Sequence, residues 1–340
     1  MKAIITNKWN SYLDSFDDSL KDIYFFEEYV RLYETADEKA FCAICEDTGH
    51  VLLMPFIRKE IEGYYDFETP YGYAGPIANT QNEDWVVYAL SEMENLFRKE
   101  KYICGFIRFH SLLRNDELCK KRINVLFDRN TIAINTSESE EQIWTGQITS
   151  KNRNMIRKAE KNNLVYKAER DFESLDEFIS LYNSTMRRLN ADSFYFFDRS
   201  YYNNFCNSFK GKAFLGTVRK EEELICAALF MYSKDFGHYH LEGSNNNYSG
   251  LAANNYLLWK TAIEFNKLGV KEFHLGGGYN SKADNSLFKF KQAFSNNVKE
   301  FYIGKWIFNN DKYNEIKNNW MKRNPDKINK FSKMLLCYRY

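Results

Sequence analysis

Residues 237–294 constrain the fold more than any other stretch, because they predict a strand, a helix and a second strand in succession. His238 to Glu242 alternates in the manner of a strand. Ala252 to Lys267 has apolar residues at helical spacing, and Gly269 follows as a stop signal. Val270 to Leu275 predicts the second strand. A crossover of this kind joins two parallel strands, so the sequence predicts an α/β fold.

The carboxyl ends of these two strands are the expected place for a ligand. They are Glu242 to Ser244 and Leu275 to Gly278, and ligands of open α/β sheets gather at such ends. The glycines at 276–278 would let a ligand approach the backbone closely. They match neither a Rossmann nor a phosphate-loop motif, so by themselves they are weak evidence for a ligand.

Length and composition indicate an ordered chain of two domains. The 340 residues suffice for two cores, and 44% hydrophobic residues exclude a disordered protein. No apolar run approaches the roughly 20 residues that span a bilayer, and Met1 to Asn10 lacks a secretory pattern. The seven cysteines favour a reducing compartment. We therefore expect a cytoplasmic protein without an integral membrane segment.

The order of predicted elements repeats along the chain. A helix and a hairpin, followed later by a strand, a helix and a strand, occur once in each half. A duplicated α/β domain explains this repeat most simply. We place domain 1 at residues 1–148 and domain 2 at 149–308, with 309–340 as a candidate to complete domain 1.

The same stretch resembles the second domain of the FemABX peptidyltransferases, within the GNAT-like acyltransferase superfamily, and a BioF2-like acetyltransferase domain. The resemblance is strongest from Ser150 to Phe308. The matching residues are Gly243-Ser244, Trp259, Lys267-Leu268-Gly269, Phe273 to Gly278, Phe290-Lys291 and Phe294, together with the basic segment Ser150 to Ala159 and Leu181 to Arg188.

This resemblance implies two GNAT-like mixed-sheet domains without a long coiled-coil arm, since nothing between Arg188 and Phe205 leaves room for one. It also implies acyl or aminoacyl transfer to an amine of a cell-envelope precursor such as a peptidoglycan muropeptide, with aminoacyl-tRNA as the preferred donor and no bound cofactor. The alternative is acyl-CoA-dependent acylation of an amino sugar of a surface polysaccharide or of its nucleotide-sugar precursor. A membrane-linked acceptor would require peripheral membrane contact.

Two departures from the family pattern leave the general base and the acceptor open. Family members commonly have Arg-Gly-Pro followed closely by Asp in domain 1, whereas this chain has Ala74-Gly75-Pro76 followed by Ile77, Ala78 and Asn79. The usual Asp in the last strand of the crossover unit is replaced by His274.

Four residues are catalytic candidates. Lys291 could stabilise charge that develops during acyl transfer, the alternative being a solvated lysine, with Lys289 as its neighbouring competitor. His240, Glu242 and His274 are possible acid–base groups. His238, His240 and Glu242 alternate, which would put them on one strand face. They would spread over roughly 13 Å, so we predict no metal site.

Binding candidates come from the basic and the aromatic segments. For the donor they are Phe290, Lys291, Arg153, Arg157 and Lys158, because the basic run from Lys151 to Arg170 could follow a tRNA backbone. Solvated helix faces explain the same charges equally well. For the acceptor they are Tyr71, Tyr73, Asn79, Arg188 and Tyr195.

Overall fold

In a computed structural model, which describes residues 1–280 and 285–340, the chain forms thirteen strands among the described residues. They are β1 (Lys2–Thr6), β2 (Glu38–Asp47), β3 (His50–Ile61), β4 (Tyr64–Glu68), β5 (Ile77–Ala78), β6 (Tyr102–Arg108), β7 (Asn124–Asn135), β8 (Leu164–Glu169), β9 (Ala213–Lys220), β10 (Glu223–Tyr232), β11 (Phe236–Ser244), β12 (Glu272–Gly277) and β13 (Val298–Ile307).

Ten α-helices accompany these strands in the described ranges. They are α1 (Glu27–Arg31), α2 (Glu83–Lys99), α3 (Glu140–Gln142), α4 (Ser150–Lys161), α5 (Leu175–Arg188), α6 (Arg199–Ser208), α7 (Ala253–Lys267), α8 (Ser286–Gln292), α9 (Asn310–Arg323) and α10 (Ile328–Phe331). The longest described helix, α2, has 17 residues. Measured against the length and apolar content that crossing a bilayer requires, every described helix falls short.

The chain divides into two compact units, residues 1–128 with 300–340, and residues 129–299. The domain boundaries predicted from the sequence, at 148/149 and 308/309, differ from the boundaries of these two units. The difference follows from which core the residues near each boundary join. Ile132, Ile143 and Ile148 are buried in the core of the second unit. Trp306 and Phe308 belong to the core of the first unit.

Unit 1 is built on a mixed sheet in the order β1-β2-β3-β4-β6-β13, with β5 beside β3. Only β4 and β6 are parallel in this series. Helix α2 is capped by Asn82, whose side chain accepts from the Trp85 N–H, and buries Val86, Leu90 and Phe97 in one core. A second core contains Tyr313 and Ile316 of α9.

The C-terminal residues are held in unit 1 by buried charges. Arg339 is only 7% exposed at its side chain and donates to Asp66 Oδ1 over 2.6 Å and to Glu68 Oε1 over 2.7 Å. Glu38 is a third carboxylate partner at 3.3 Å, and a buried guanidinium paired in this way is costly to separate from its partners. This network therefore anchors the segment that follows α10.

Unit 2 has a mixed sheet in the order β7-β12-β11-β10-β9-β8. Strands β11 and β12 are parallel, as the crossover predicted, and the other pairs are antiparallel. Helices α4 and α7 contribute Ile156, Leu257 and Phe265 to its core. The predicted strand–helix–strand unit is thus confirmed as β11, α7 and β12.

Candidate functional site

A β-bulge in β11 divides the polar residues of that strand between two faces. Opposite β10, Glu242 pairs with Ala228, Leu241 with Leu229 and Tyr239 with Phe230, so His240 is the extra residue. A bulge of this kind interrupts the alternation of side chains. Tyr239 and Glu242 consequently share the face towards α7, whereas His240 contacts α6. The predicted common face of His238, His240 and Glu242 is therefore wrong.

His240 lies in an aromatic environment. Its Nε2 is 2.6 Å from the Tyr201 hydroxyl, and its ring stacks on Phe205 with centroids 5.6 Å apart. Burial lowers the pKa of His240 to about 3, with a smaller contribution from His238. The imidazole is therefore neutral at physiological pH and does not change charge there.

His274, on β12, is 1% exposed. Its Nε2 lies 2.8 Å from the Thr131 hydroxyl of β7, and its ring meets that of His238 edge-on at 5.8 Å. The pairing of β11 and β12 puts these two histidines directly opposite each other. His274 thus occupies a buried position between strands, where Thr131 orients its ring.

Glu242 carries a carboxyl group with a raised pKa. Burial is the main cause, opposed by a hydrogen bond to Ser244 and by the charge of Arg188. The Cys226 thiol is 3.8 Å from Glu242 Oε1 and 2.8 Å from Asn254 Oδ1. A carboxylate with a raised pKa is a better base than a solvated one, so Glu242 is suited to accept a proton.

Lys291 is a buried cation on α8. Its Nζ donates to the carbonyl oxygen of Gly277, at the end of β12, over 2.8 Å, and lies 5.7 Å from the centre of the Tyr239 ring. The residue is 7% exposed. Burial lowers its pKa to about 7, Glu242 opposes that shift and Arg129 adds to it. The alternative of a solvated lysine is wrong for Lys291; it describes Lys289, which is exposed.

A cavity of about 250 Å³ lies at the first turn of α7. Its walls include Arg188, Ser244, Asn254 and Phe290. Residue 252, which precedes α7, has φ of 60° and gives the helix no side-chain cap. An uncapped helix start presents backbone N–H donors to a ligand. The cavity is therefore suited to an anionic or carbonyl oxygen.

Arg188 is positioned at this cavity by the packing of α5 on β11. The Thr185 hydroxyl accepts from the Ser244 N–H at 2.9 Å, one turn of helix before Arg188. The Arg188 guanidinium donates to Asn246 Oδ1 over 2.9 Å and to the Ser244 carbonyl over 3.4 Å. Tyr195, the other acceptor candidate of unit 2, lies beyond α5, and its carbonyl accepts from the Tyr182 hydroxyl.

The donor candidates of the basic segment occupy different environments. Arg153 donates to the carbonyls of Trp144 and Ile148, which ties α4 to the turn before it. Arg157 is exposed, with its guanidinium 5.3 Å from the centre of the Trp144 ring. Lys158 is also exposed. Phe290 lines the cavity and contacts Phe294.

The three acceptor candidates of unit 1 contact other residues of the same unit. Asn79 accepts from the Val51 N–H at 2.7 Å and donates to the Gly49 carbonyl, which braces the turn between β2 and β3. The carbonyl of Tyr71 accepts from the Tyr29 hydroxyl. The ring of Tyr73 meets that of Phe301 edge-on. Their role in acceptor binding stays a prediction.

Three residues beside Lys291 and Glu242 were not predicted from the sequence. Tyr239 joins them because of the bulge, and Cys226 and Asn254 through their contacts with each other and with Glu242. Asn254 lies in the first turn of the helix predicted from Ala252, so its position at the helix start was an available signal. Nothing in the sequence marked Cys226.

Comparison with known proteins gives a domain match for part of the chain. Residues 149–291 match the model of the acetyltransferase (GNAT) domain family Acetyltransf_6. No curated protein sequence gave a match. A crystal structure of FemX, 15% identical, superposes with a TM-score of 0.71 over 93% of this chain and 100% of its own.

Two further solved structures are similar over most of the chain. L-PGS from Bacillus licheniformis is 14% identical, with a TM-score of 0.56 over 88% of this chain and 92% of its own. A tandem GNAT protein from the clavulanic acid biosynthesis pathway is 8% identical, with a TM-score of 0.52 over 90% of this chain and 99% of its own. At these identities the likeness establishes the fold, two GNAT-like domains as predicted.

Proposed function

We propose that the protein transfers an aminoacyl group from aminoacyl-tRNA to an amine of a cell-envelope precursor, such as a peptidoglycan muropeptide. Its residues 149–291 match a GNAT-type acetyltransferase domain, and its fold is similar to that of FemX. The observation that carries the proposal is Lys291, a buried cation beside the end of β12 with its pKa lowered to about 7. A group that titrates near neutral pH can both stabilise negative charge and donate a proton.

The reaction needs no covalent intermediate on the enzyme. The acceptor amine attacks the ester carbonyl of the donor, a C–N bond forms, and the C–O bond to the ribose breaks. Glu242, with its raised pKa, takes the proton that the amine loses. Protonated Lys291 supplies a proton to the leaving ribose oxygen, and the uncapped start of α7 supports the oxyanion.

The choice of aminoacyl-tRNA rests on fold and charge together. FemX gives the highest TM-score among the structures described above. Helix α4 presents Lys151, Arg157, Lys158 and Lys161 to solvent, and no described carboxylate forms an ion pair with them. Such cations suit a phosphate backbone. On this proposal the protein acts in the cytoplasm and reaches a membrane-linked acceptor by peripheral contact.

Acyl-CoA is the second candidate donor, favoured by a specific observation. The cavity at the start of α7, lined by Arg188 and uncapped backbone N–H groups, is also suited to a pyrophosphate. The acceptor would then be an amino sugar of a surface polysaccharide or its nucleotide-sugar precursor.

Thermal stabilisation distinguishes the two donors. Ligand at about 100 times its Kd stabilises the folded state by about 2.7 kcal/mol, which corresponds to a rise in melting temperature of about 5 °C or more for a unit of this size. We expect this rise with charged tRNA and none with acetyl-CoA or longer acyl-CoA. Heparin at the same charge concentration is the control for unspecific polyanion binding. A rise with acyl-CoA alone would replace the first candidate by the second.

A further inference from the structure

Unit 1 contains a second cavity, whose lining residues all lie outside the candidate site of unit 2. It has a volume of about 800 Å³ and is open to solvent. Four cationic side chains line it, each from a different part of unit 1: Arg122 before β7, Lys305 on β13, Lys317 on α9, and Lys333 after α10. We call it the basic groove.

The charges of the basic groove are not balanced by the protein. Its one lining carboxylate, Glu94, pairs with Arg98 at 2.6 Å. In the described part of the chain no carboxylate forms an ion pair with any of the four cations. Lys305 Nζ donates to the Lys333 carbonyl over 3.1 Å, which neutralises no charge. Like charges held together without counter-charge favour an anionic ligand.

Trp306 carries an unsatisfied hydrogen-bond donor. It lines the basic groove, is 3% exposed, and its Nε1–H has no acceptor among the described residues. A buried donor of this kind is normally satisfied by a protein group, by water or by a ligand.

From these observations we infer that the basic groove binds the phosphate backbone of RNA, which on the proposed function is the body of the donor tRNA. The volume of the basic groove lies in the range of pockets that hold a complete small-molecule ligand, so it can accommodate several phosphates. The groove is concave, which suits a phosphodiester ridge better than a flat bilayer surface. Trp306 and Tyr313 are 3% and 7% exposed, so they offer little ring surface for base stacking, and recognition is of the backbone.

Binding of labelled, deacylated tRNA at several salt concentrations tests this inference. For Lys317→Glu/Lys333→Glu we expect at least tenfold weaker binding and a slope of log Kd against log salt that falls by about 1 to 2. The control is Lys8→Glu/Lys39→Glu, which makes the same charge change at exposed positions outside both cavities. It should stay within twofold of the wild type. Arg122→Gln/Lys333→Gln, two exposed positions, replaces the first pair if that pair does not fold.

Several results would overturn the inference. One is that the control variant weakens tRNA binding as much as the groove variants do. Another is that tRNA affinity is unchanged in both groove variants. A third is that substitution of the groove lysines weakens binding of anionic phospholipid vesicles or of inorganic triphosphate but not of tRNA. Turnover separates this inference from the proposed function. If the proposed function fails, the wild type transfers nothing from charged tRNA, yet its tRNA affinity still depends on Lys317 and Lys333. If the inference fails, transfer occurs with an unchanged KM for charged tRNA in the groove variants.

Discussion

Replacing Lys291 with methionine is expected to lower kcat/KM for transfer by about 10³-fold, the effect typical of losing a donor that stabilises a developing oxyanion or leaving group. The side chain donates to the Gly277 carbonyl and lies over Tyr239, so its position is fixed before the substrate arrives. Methionine fills a similar volume without charge. The measurement is steady-state transfer of a labelled aminoacyl group, with circular dichroism to establish that the variant is folded.

The matched control is Lys289→Met. Lys289 lies two residues before Lys291 in α8 and is exposed, so this variant should retain activity within about twofold.

The pH dependence gives a second readout. Because the folded pKa of Lys291 is about 7, against 10.5 for an unperturbed lysine, kcat/KM should fall as pH rises above about 7. Between these two pKa values Lys291 is deprotonated in the folded state and protonated in the unfolded state. Its contribution therefore makes the free energy of unfolding rise with pH in this range. Both effects should vanish in Lys291→Met; full activity in that variant would refute the assignment.

Gly243→Ala is expected to destabilise unit 2 by roughly 3 kcal/mol or more. This exceeds the usual cost of adding a small group to a packed core, because the atoms that the new Cβ would meet belong to the backbone and cannot move aside as side chains do. An added Cβ would lie 2.6 Å from the backbone nitrogen of Tyr182 and 2.8 Å from the carbonyl carbon of Leu181, both in α5. Calorimetry should show a melting temperature lower by about 6 to 12 °C. Since α5 carries Arg188, an acceptor-binding candidate, KM for the acceptor should rise as well.

Gly250→Ala serves as the control, because a Cβ there meets nothing within 4 Å. Its melting temperature should change by no more than about 2 °C. A Gly243→Ala protein with wild-type stability would show that α5 is not held against β11 as closely as described.

The crossover unit could be predicted because periodicity and stop signals are local properties of the sequence. The spacing of Ala252, Tyr256, Trp259 and Ile263, with Gly269 behind them, is sufficient to predict α7. The bulge could not be predicted from alternation, because one extra residue in β11 depends on how β10 pairs with it. That single residue moved Glu242 to the face of Lys291 and left His240 among the aromatic rings of α6.

Charge and amide groups were predicted less well than the apolar pattern. Arg153 and Lys158 belong to one basic segment of the sequence and look alike there. In the structure Arg153 donates hydrogen bonds to backbone carbonyls of its own unit, whereas Lys158 is exposed. Asn79 braces a turn. The ion pairs of Arg339 with Asp66 and Glu68 join residues far apart in the sequence, so they depend on the tertiary fold and no local pattern reports them.

The most direct measurement of the proposed activity is a donor screen by mass spectrometry. Purified protein is incubated with amine-bearing envelope precursors, and charged tRNA and acyl-CoA pools are supplied side by side, with Lys291→Met in parallel. We predict that the acceptor gains the mass of an aminoacyl group only from charged tRNA, and only with the wild type. An acceptor that gains an acyl group from the CoA pool alone, or that is modified equally by Lys291→Met, would contradict the proposal.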